Sequence, residues 1–308
     1  MYYYSAFHLS IASTIHIPFL KDGPSKTDID LVICKKEHQD SYQYVSFLGM
    51  KYNGEIRAYE TDIGTVLSYF SSISLLVSND GKCIFIICED SDLLEALLYC
   101  FTAGIIIALY YRQCVVFHGS SFEYKGKVHA LLGNSGMGKS TLLMHLLTKR
   151  VKAFSDDIVP VDSMSITRPN GGLPFKLCDD MIDRVNAMVS QKTRLIDGLD
   201  KYWILLKSGL QYDGNPIDIQ TIFVLNPQYS ETNIEIKELS LTEFVKEIVP
   251  NLHAYWCLPQ KLKKRVIDQL NFLRRRIRFV KITYEKTYKA IDTVSTEIMN
   301  YLDSAMLT

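Results

Sequence analysis

The chain has 308 residues, 47% of them hydrophobic, which is enough for a sizeable core and more than one average domain needs. Lys+Arg and Asp+Glu each total 34, so net charge offers no basis for a nucleic-acid or anionic-membrane partner. The seven cysteines, at 34, 83, 88, 100, 114, 178 and 257, contain no C-x-x-C pair. That pattern argues against a zinc site or a disulfide framework and fits reduced thiols in a cytoplasmic protein.

The opening segment, MYYYSAFHLSIAST, has neither a basic n-region nor a continuous apolar stretch and does not read as a signal peptide. Residues 1–90 read as a strand-rich α+β region. Strands are expected at 10–17, 29–35, 42–49, 54–60 and 73–78, with Asn79-Asp80-Gly81 as a hairpin turn before a strand at 82–88. His8, His16 and His38 are isolated and lack ligand spacing, so they read as structural. Residues 93–111, LLEALLYCFTAGIIIALYY, approach the length of a membrane span. Glu95 interrupts the run and a strand follows at once, so a buried helix is expected, leading into a second domain over 91–308.

The centre of that domain is 115–157, VVFHGSSFEYKGKVHALLGNSGMGKSTLLMHLLTKRVKAFSDD. Residues 133–140 match G-x-x-x-x-G-K-[ST], between an apolar strand at 128–132 and a helix-spaced segment from Thr141. Such a loop directs unpaired N–H groups and a helix N-terminus into one concavity, where phosphate oxygens settle. Gly133, Gly136 and Gly138 let the backbone come close to phosphate, and Asn134, Ser135 and Met137 complete the loop. Lys139 can span the β- and γ-phosphates, Ser140 offers an oxygen to Mg²⁺, and Thr141 opens the helix. Asp156 and Asp157 then close a short strand. One could hold the metal while the other takes a proton from a hydroxyl, and the spacing leaves both assignments open.

Further along come a turn-rich loop at 168–174 and the segment Phe175-Lys176-Leu177. A polar helical stretch is expected over 179–203, a strand at 221–225, an amphipathic helix at 241–249 and a basic helix at 258–277. A final strand at 278–284 and a last helix from about 287 complete the chain. Arg274, Arg275 and Arg276 read as a solvated face of the basic helix.

In order, these motifs are His118-Gly-Ser-Ser, an apolar strand, the glycine loop, a helix, Ser-Asp-Asp and Pro174-Phe-Lys176-Leu. They resemble the catalytic domain of HPr kinase/phosphorylase, and within that family the kinase-like proteins of ribosomal-peptide clusters, lasso-peptide kinases included. More distantly they are similar to ATP-dependent phosphoenolpyruvate carboxykinase. The resemblance implies an α/β fold, with a P-loop nucleotide domain of the HPr-kinase/carboxykinase type after a smaller strand-rich N-terminal α+β region. It also implies that Lys139 and Ser140 bind triphosphate and Mg²⁺, and that Ser140, Asp156 and Asp157 form the metal side. His118 would stand beside the acid pair, and Lys176 would face the transferring phosphoryl group. The glycine-rich signature near the family's metal-binding glutamate has no counterpart here, so the resemblance does not extend to HPr as acceptor or to phosphorolysis. No Leu-Ser-Gly-Gly or Asn-Lys-x-Asp motif points to an ABC ATPase or a GTPase.

The expectation is therefore a cytoplasmic, ATP- and Mg²⁺-dependent serine kinase. It would transfer the γ-phosphoryl group to a hydroxyl on a peptide or small protein, with no nucleic-acid or membrane partner and with the oligomeric state open, a homo-oligomer included. Two alternatives are a kinase of free serine or another small hydroxyl metabolite, and a non-catalytic ATP-binding accessory protein of peptide maturation.

Overall fold

Runs of β-branched and aromatic residues in the first ninety positions build the first sheet. The structure is a computed structural model that describes residues 1–23, 28–36, 42–70, 72–169, 173–194, 201–230 and 233–305. His38, the centre of the 168–174 turn at 170–172, and residues 195–200 of the expected 179–203 helix lie outside the described residues.

The first sheet contains β1 (Tyr2–Ala6), β2 (Leu9–Ser13), β3 (Leu31–Lys36), β4 (Tyr44–Lys51), β5 (Ile56–Thr61), β6 (Gly64–Tyr69), β7 (Ile73–Ser78) and β8 (Cys83–Ile87). Their order is β1-β2-β3-β8-β7-β6-β5-β4. The expected turn at Asn79–Gly81 forms between β7 and β8, with Gly81 at φ +69° donating its N–H to the Ser78 carbonyl at 2.9 Å. Strands β1 and β6 fall outside the runs read from sequence. At Gly64, the first residue of β6, a Cβ would lie 2.0 Å from the Val77 carbonyl oxygen, so only glycine permits that close pairing.

The apolar run after this sheet forms α1 (Leu93–Tyr99), a π-turn over Cys100–Gly104, and α2 (Ile105–Tyr111). By length and composition the helix through Asp90–Tyr111 could cross a membrane, yet 67% of its apolar window is buried within the structure. It is the core helix between the two large sheets. At its end Arg112 donates to the Asp30 carbonyl and carboxylate, both at 3.0 Å, tying it to the first sheet.

The second sheet is built from β9 (Val115–Tyr124), β10 (Lys127–Leu132), β11 (Lys152–Ser155), β12 (Ile158–Val161), β13 (Ile166–Thr167), β17 (Ile217–Gln228), β18 (Glu235–Glu238) and β19 (Arg278–Glu285). The path runs β10-β9-β12-β13-β17-β19-β18, and β10 also pairs with β17 in parallel, so part of the sheet closes on itself. Side chains alternate between two apolar layers. Val128, Ala130, Leu132, Ile222 and Val224 face the layer shared with α2, α5 (Leu241–Ile248) and α6 (Gln260–Leu273). Leu131, Phe223 and Leu225 face the layer shared with α3 (Lys139–Leu146) and α7 (Tyr288–Ala305).

The expected helix over 179–203 is not there. Helix α4 (Asp179–Val185) ends early, and β15 (Val189–Arg194) and β16 (Lys201–Leu206) join β14 (Phe175–Cys178) in a small antiparallel sheet, order β14-β16-β15. The reason is the apolar pattern. Past Val185 no helical stripe continues, whereas Phe175, Leu177, Ile204 and Leu206 alternate with outward residues and cover the layer next to α3.

Candidate active site

Strand β9 changes neighbours at its midpoint, and the site forms there. On one edge Val115–His118 pair with β12, and Ser121–Glu123 pair with β11. Ser155 lies opposite Ser121 and Ile158 opposite His118, so Asp156 and Asp157 occupy the break in the ladder, facing Ser120 and Gly119. Asp157 has φ +69°, a left-handed backbone that a short polar side chain tolerates better than most. That kink interrupts pairing at the two acids. Gly119 completes the arrangement: a Cβ there would sit 2.7 Å from the Leu131 carbonyl oxygen, where β9 and β10 press together.

On the other edge, β10 pairs with β9 only from Gly119 onward. Residues 252–253 take over that edge, with Leu252 bridging Phe117 and the His253 N–H donating to the Val116 carbonyl at 2.8 Å. The His253 ring thereby reaches His118, centroids 5.0 Å apart. His118 thus stands inside the ten-residue strand β9, at its fourth position.

The loop between β10 and α3 has Gly136 at φ +79° and Gly138 at φ +89°. Gly133 is packed closely, since a Cβ would meet Met137 Sδ at 3.1 Å. Lys139 is buried, and its Nζ donates to the Gly133 carbonyl at 2.7 Å and the Asn134 carbonyl at 3.3 Å. His118, Lys139, Ser140, Asp156, Asp157 and Lys176 all line one cavity of about 290 Å³, with Ser135, Gly136, Gly138 and Thr141. Gly133, Asn134 and Met137 do not line it; they brace the loop from within.

The two aspartates have different surroundings. Asp156 is buried and accepts from Ser120 Oγ at 2.6 Å, Ser140 Oγ at 3.1 Å and the Lys176 backbone N–H at 3.2 Å. Burial raises its pKa, with the neighbouring Asp157 charge adding to the rise and the donated hydrogen bonds opposing it. Asp157 is likewise pushed up by burial, but the Lys176 ammonium at 2.6 Å and His118 Nε2 at 3.2 Å outweigh that and hold it well below the usual carboxylate range. Burial lowers the His253 pKa to about 4, so the second ring near this acid is neutral at pH 7.

Ser140 Oγ and the Asp156 carboxylate are adjacent hard oxygens on the cavity wall. This donor set suits Mg²⁺, which takes one or two protein oxygens and completes its shell with phosphate and water. Among the described residues no group of three or more His, Cys, Asp or Glu is arranged to hold a metal unaided. Asp157, expected on the metal side, is turned to Lys176 and His118. Three contributors escaped the sequence reading. Ser120 lies inside His118-Gly-Ser-Ser without a distinguishing signal, while His253 and Tyr288 reach the site only through the fold.

No protein-family profile matches the chain, and no curated protein matches it. Among solved structures it is similar to the Hpr(Ser) kinase/phosphatase from Coxiella burnetii, at 10% identity and a TM-score of 0.29. The matched region covers 62% of this chain and 98% of that one. Likeness at this level leaves the function to be argued from the site.

Proposed function

We propose that the protein is an ATP-dependent phosphotransferase that moves the γ-phosphoryl group to a serine hydroxyl on a peptide or small protein. The observation that supports this most is the division of labour between two adjacent carboxylates in one cavity, one beside Ser140 and the other beside Lys176 and His118. A pure binding module has no need of the second.

In this reading the loop amides and Lys139 hold the triphosphate, and Ser140 with Asp156 would hold Mg²⁺. Bound Mg²⁺ supplies charge neutralisation on the phosphate oxygens. Asp157 orients the incoming serine and accepts its proton as the new oxygen–phosphorus bond forms. The bond from the γ-phosphorus to the bridging oxygen breaks, and that oxygen leaves with the electron pair on ADP. Because phosphoryl transfer passes through a loose transition state, the hydroxyl loses its proton late and a weak base suffices. Lys176 keeps Asp157 ionised and adds positive charge next to the transferring group, while His118 fixes the carboxylate from the other side.

The test is transfer of γ-labelled phosphate from ATP to serine-containing peptides, to HPr and to free serine. Label on peptide serine is the expected result. Label on free serine alone would favour a metabolite kinase, and no transfer despite ATP binding would favour an accessory role.

A further inference from the structure

The loop that borders the acid cavity also borders a second one, of about 230 Å³, walled by Tyr284, Lys286, Thr287, Tyr288 and Ile291. Gly136, Gly138, Thr141 and Tyr288 line both cavities, so the two adjoin across the loop. We propose that this second cavity takes the base and sugar of the nucleotide, with the Tyr288 ring as the stacking surface for the base. The inference rests on the phosphate-binding reading of the first cavity and adds to it the site of the nucleoside.

Three observations carry it. The acids line the first cavity and not the second, and the two cavities adjoin at Gly136 and Gly138, so a triphosphate held on the loop with its γ end at the acids can extend its nucleoside into the second. The lining is of the right kind: two aromatic rings and an isoleucine for a flat heterocycle, Thr287 and Lys286 for sugar and phosphate, and no acidic side chain. The walls are also held in place. Tyr284, at the end of β19, is buried and donates its hydroxyl proton to the Met137 carbonyl at 3.1 Å, fastening that wall to the loop. Arg184 lies 4.2 Å from the centroid of the Tyr288 ring and lines neither cavity. It covers one face of the ring, and the base takes the other. Tyr288 keeps 51% of its surface exposed, a large aromatic area for a solvated helix start to leave open.

The experiment is calorimetric titration of the full chain with ATP and with inorganic tripolyphosphate, both with Mg²⁺, repeated for Tyr288→Ala and Tyr288→Phe. The unsubstituted protein should bind ATP about tenfold or more tightly than tripolyphosphate, the usual scale for one stacked base. Tyr288→Ala should lose that margin and keep its tripolyphosphate affinity, and Tyr288→Phe should retain the margin. Equal affinity of the unsubstituted protein for ATP and tripolyphosphate overturns the base site but leaves the phosphate reading standing. Failure to bind tripolyphosphate at all overturns both. Parallel loss of both ligands in Tyr288→Ala would show a structural role and overturn the stacking role.

Discussion

Lys176 contacts both aspartates of the site: its ammonium lies 2.6 Å from Asp157 Oδ2, and its backbone N–H donates to Asp156 Oδ2 at 3.2 Å. One residue of β14 therefore ties the small sheet to the break in the large one. Lys176→Met keeps the backbone bond and removes the charge that offsets Asp157 burial, so the Asp157 pKa should rise. The sign follows directly. A less depressed carboxylate protonates at higher pH, so the acid limb of the turnover profile moves up. Turnover at neutral pH should fall roughly tenfold to a hundredfold. The profile of kcat against pH checks this, and an unmoved acid limb would count against the ion pair.

Asp156 and Asp157 should separate in a magnesium titration. Each change to Asn should lower turnover by roughly a hundredfold or more. Asp156→Asn should regain part of that as Mg²⁺ is raised, because Ser140 remains to share the ion. Asp157→Asn should not respond. Equal rescue of both variants would remove the division of roles.

The His118 backbone is held by pairing with Ile158 of β12, and its side chain is partly exposed, so the fold does not depend on its ring. His118→Ala should lower turnover while melting temperature and ATP affinity stay close to those of the unsubstituted protein. A markedly destabilised variant would make the ring a packing element instead.

His129 tests the account of the core. It is fully buried in β10 beside Phe122, and neither ring nitrogen has a hydrogen-bond partner. Burial lowers its pKa to about 3, against an unfolded value near 6.5. Between these values the unfolded state binds the extra proton, so stability falls as pH drops below 6.5, by about 2 kcal/mol at pH 5 from this group. His253, lowered to about 4, adds a slope of the same sign. His129→Phe should leave stability at pH 7 equal or higher by about 1 kcal/mol and make the fall towards pH 5 shallower. Denaturant midpoints at the two pH values decide it.

What was legible in the sequence follows the range of the interactions. The glycine loop, Lys139, Ser140 and the acid pair are specified within twenty-five residues by backbone geometry and charge. His118 and Lys176 stood out only through the order of motifs that resembles a known family. His253 could not be read, because it reaches Val116 by replacing β10 along an edge, a contact between distant parts of the chain. The antiparallel strands β15 and β16 fall in a segment that reads as helix, for a related reason. Its polar residues form strands only because β14 supplies a neighbour and the layer by α3 supplies a surface. The kink at Asp157 likewise depends on β9 opposite, where Gly119 and Ser120 face the acids.

The most direct measurement of the central claim is the rate of phosphoryl transfer from ATP to a serine-containing acceptor for Lys139→Ala beside the unsubstituted protein. Lys139 is the buried cation at the base of the loop, and its loss should remove about 3 kcal/mol or more of transition-state stabilisation. A fall in rate of at least about a hundredfold, with the chain still folded, is the predicted result. Transfer by Lys139→Ala at the unsubstituted rate would contradict the assignment of this loop and cavity to phosphoryl transfer.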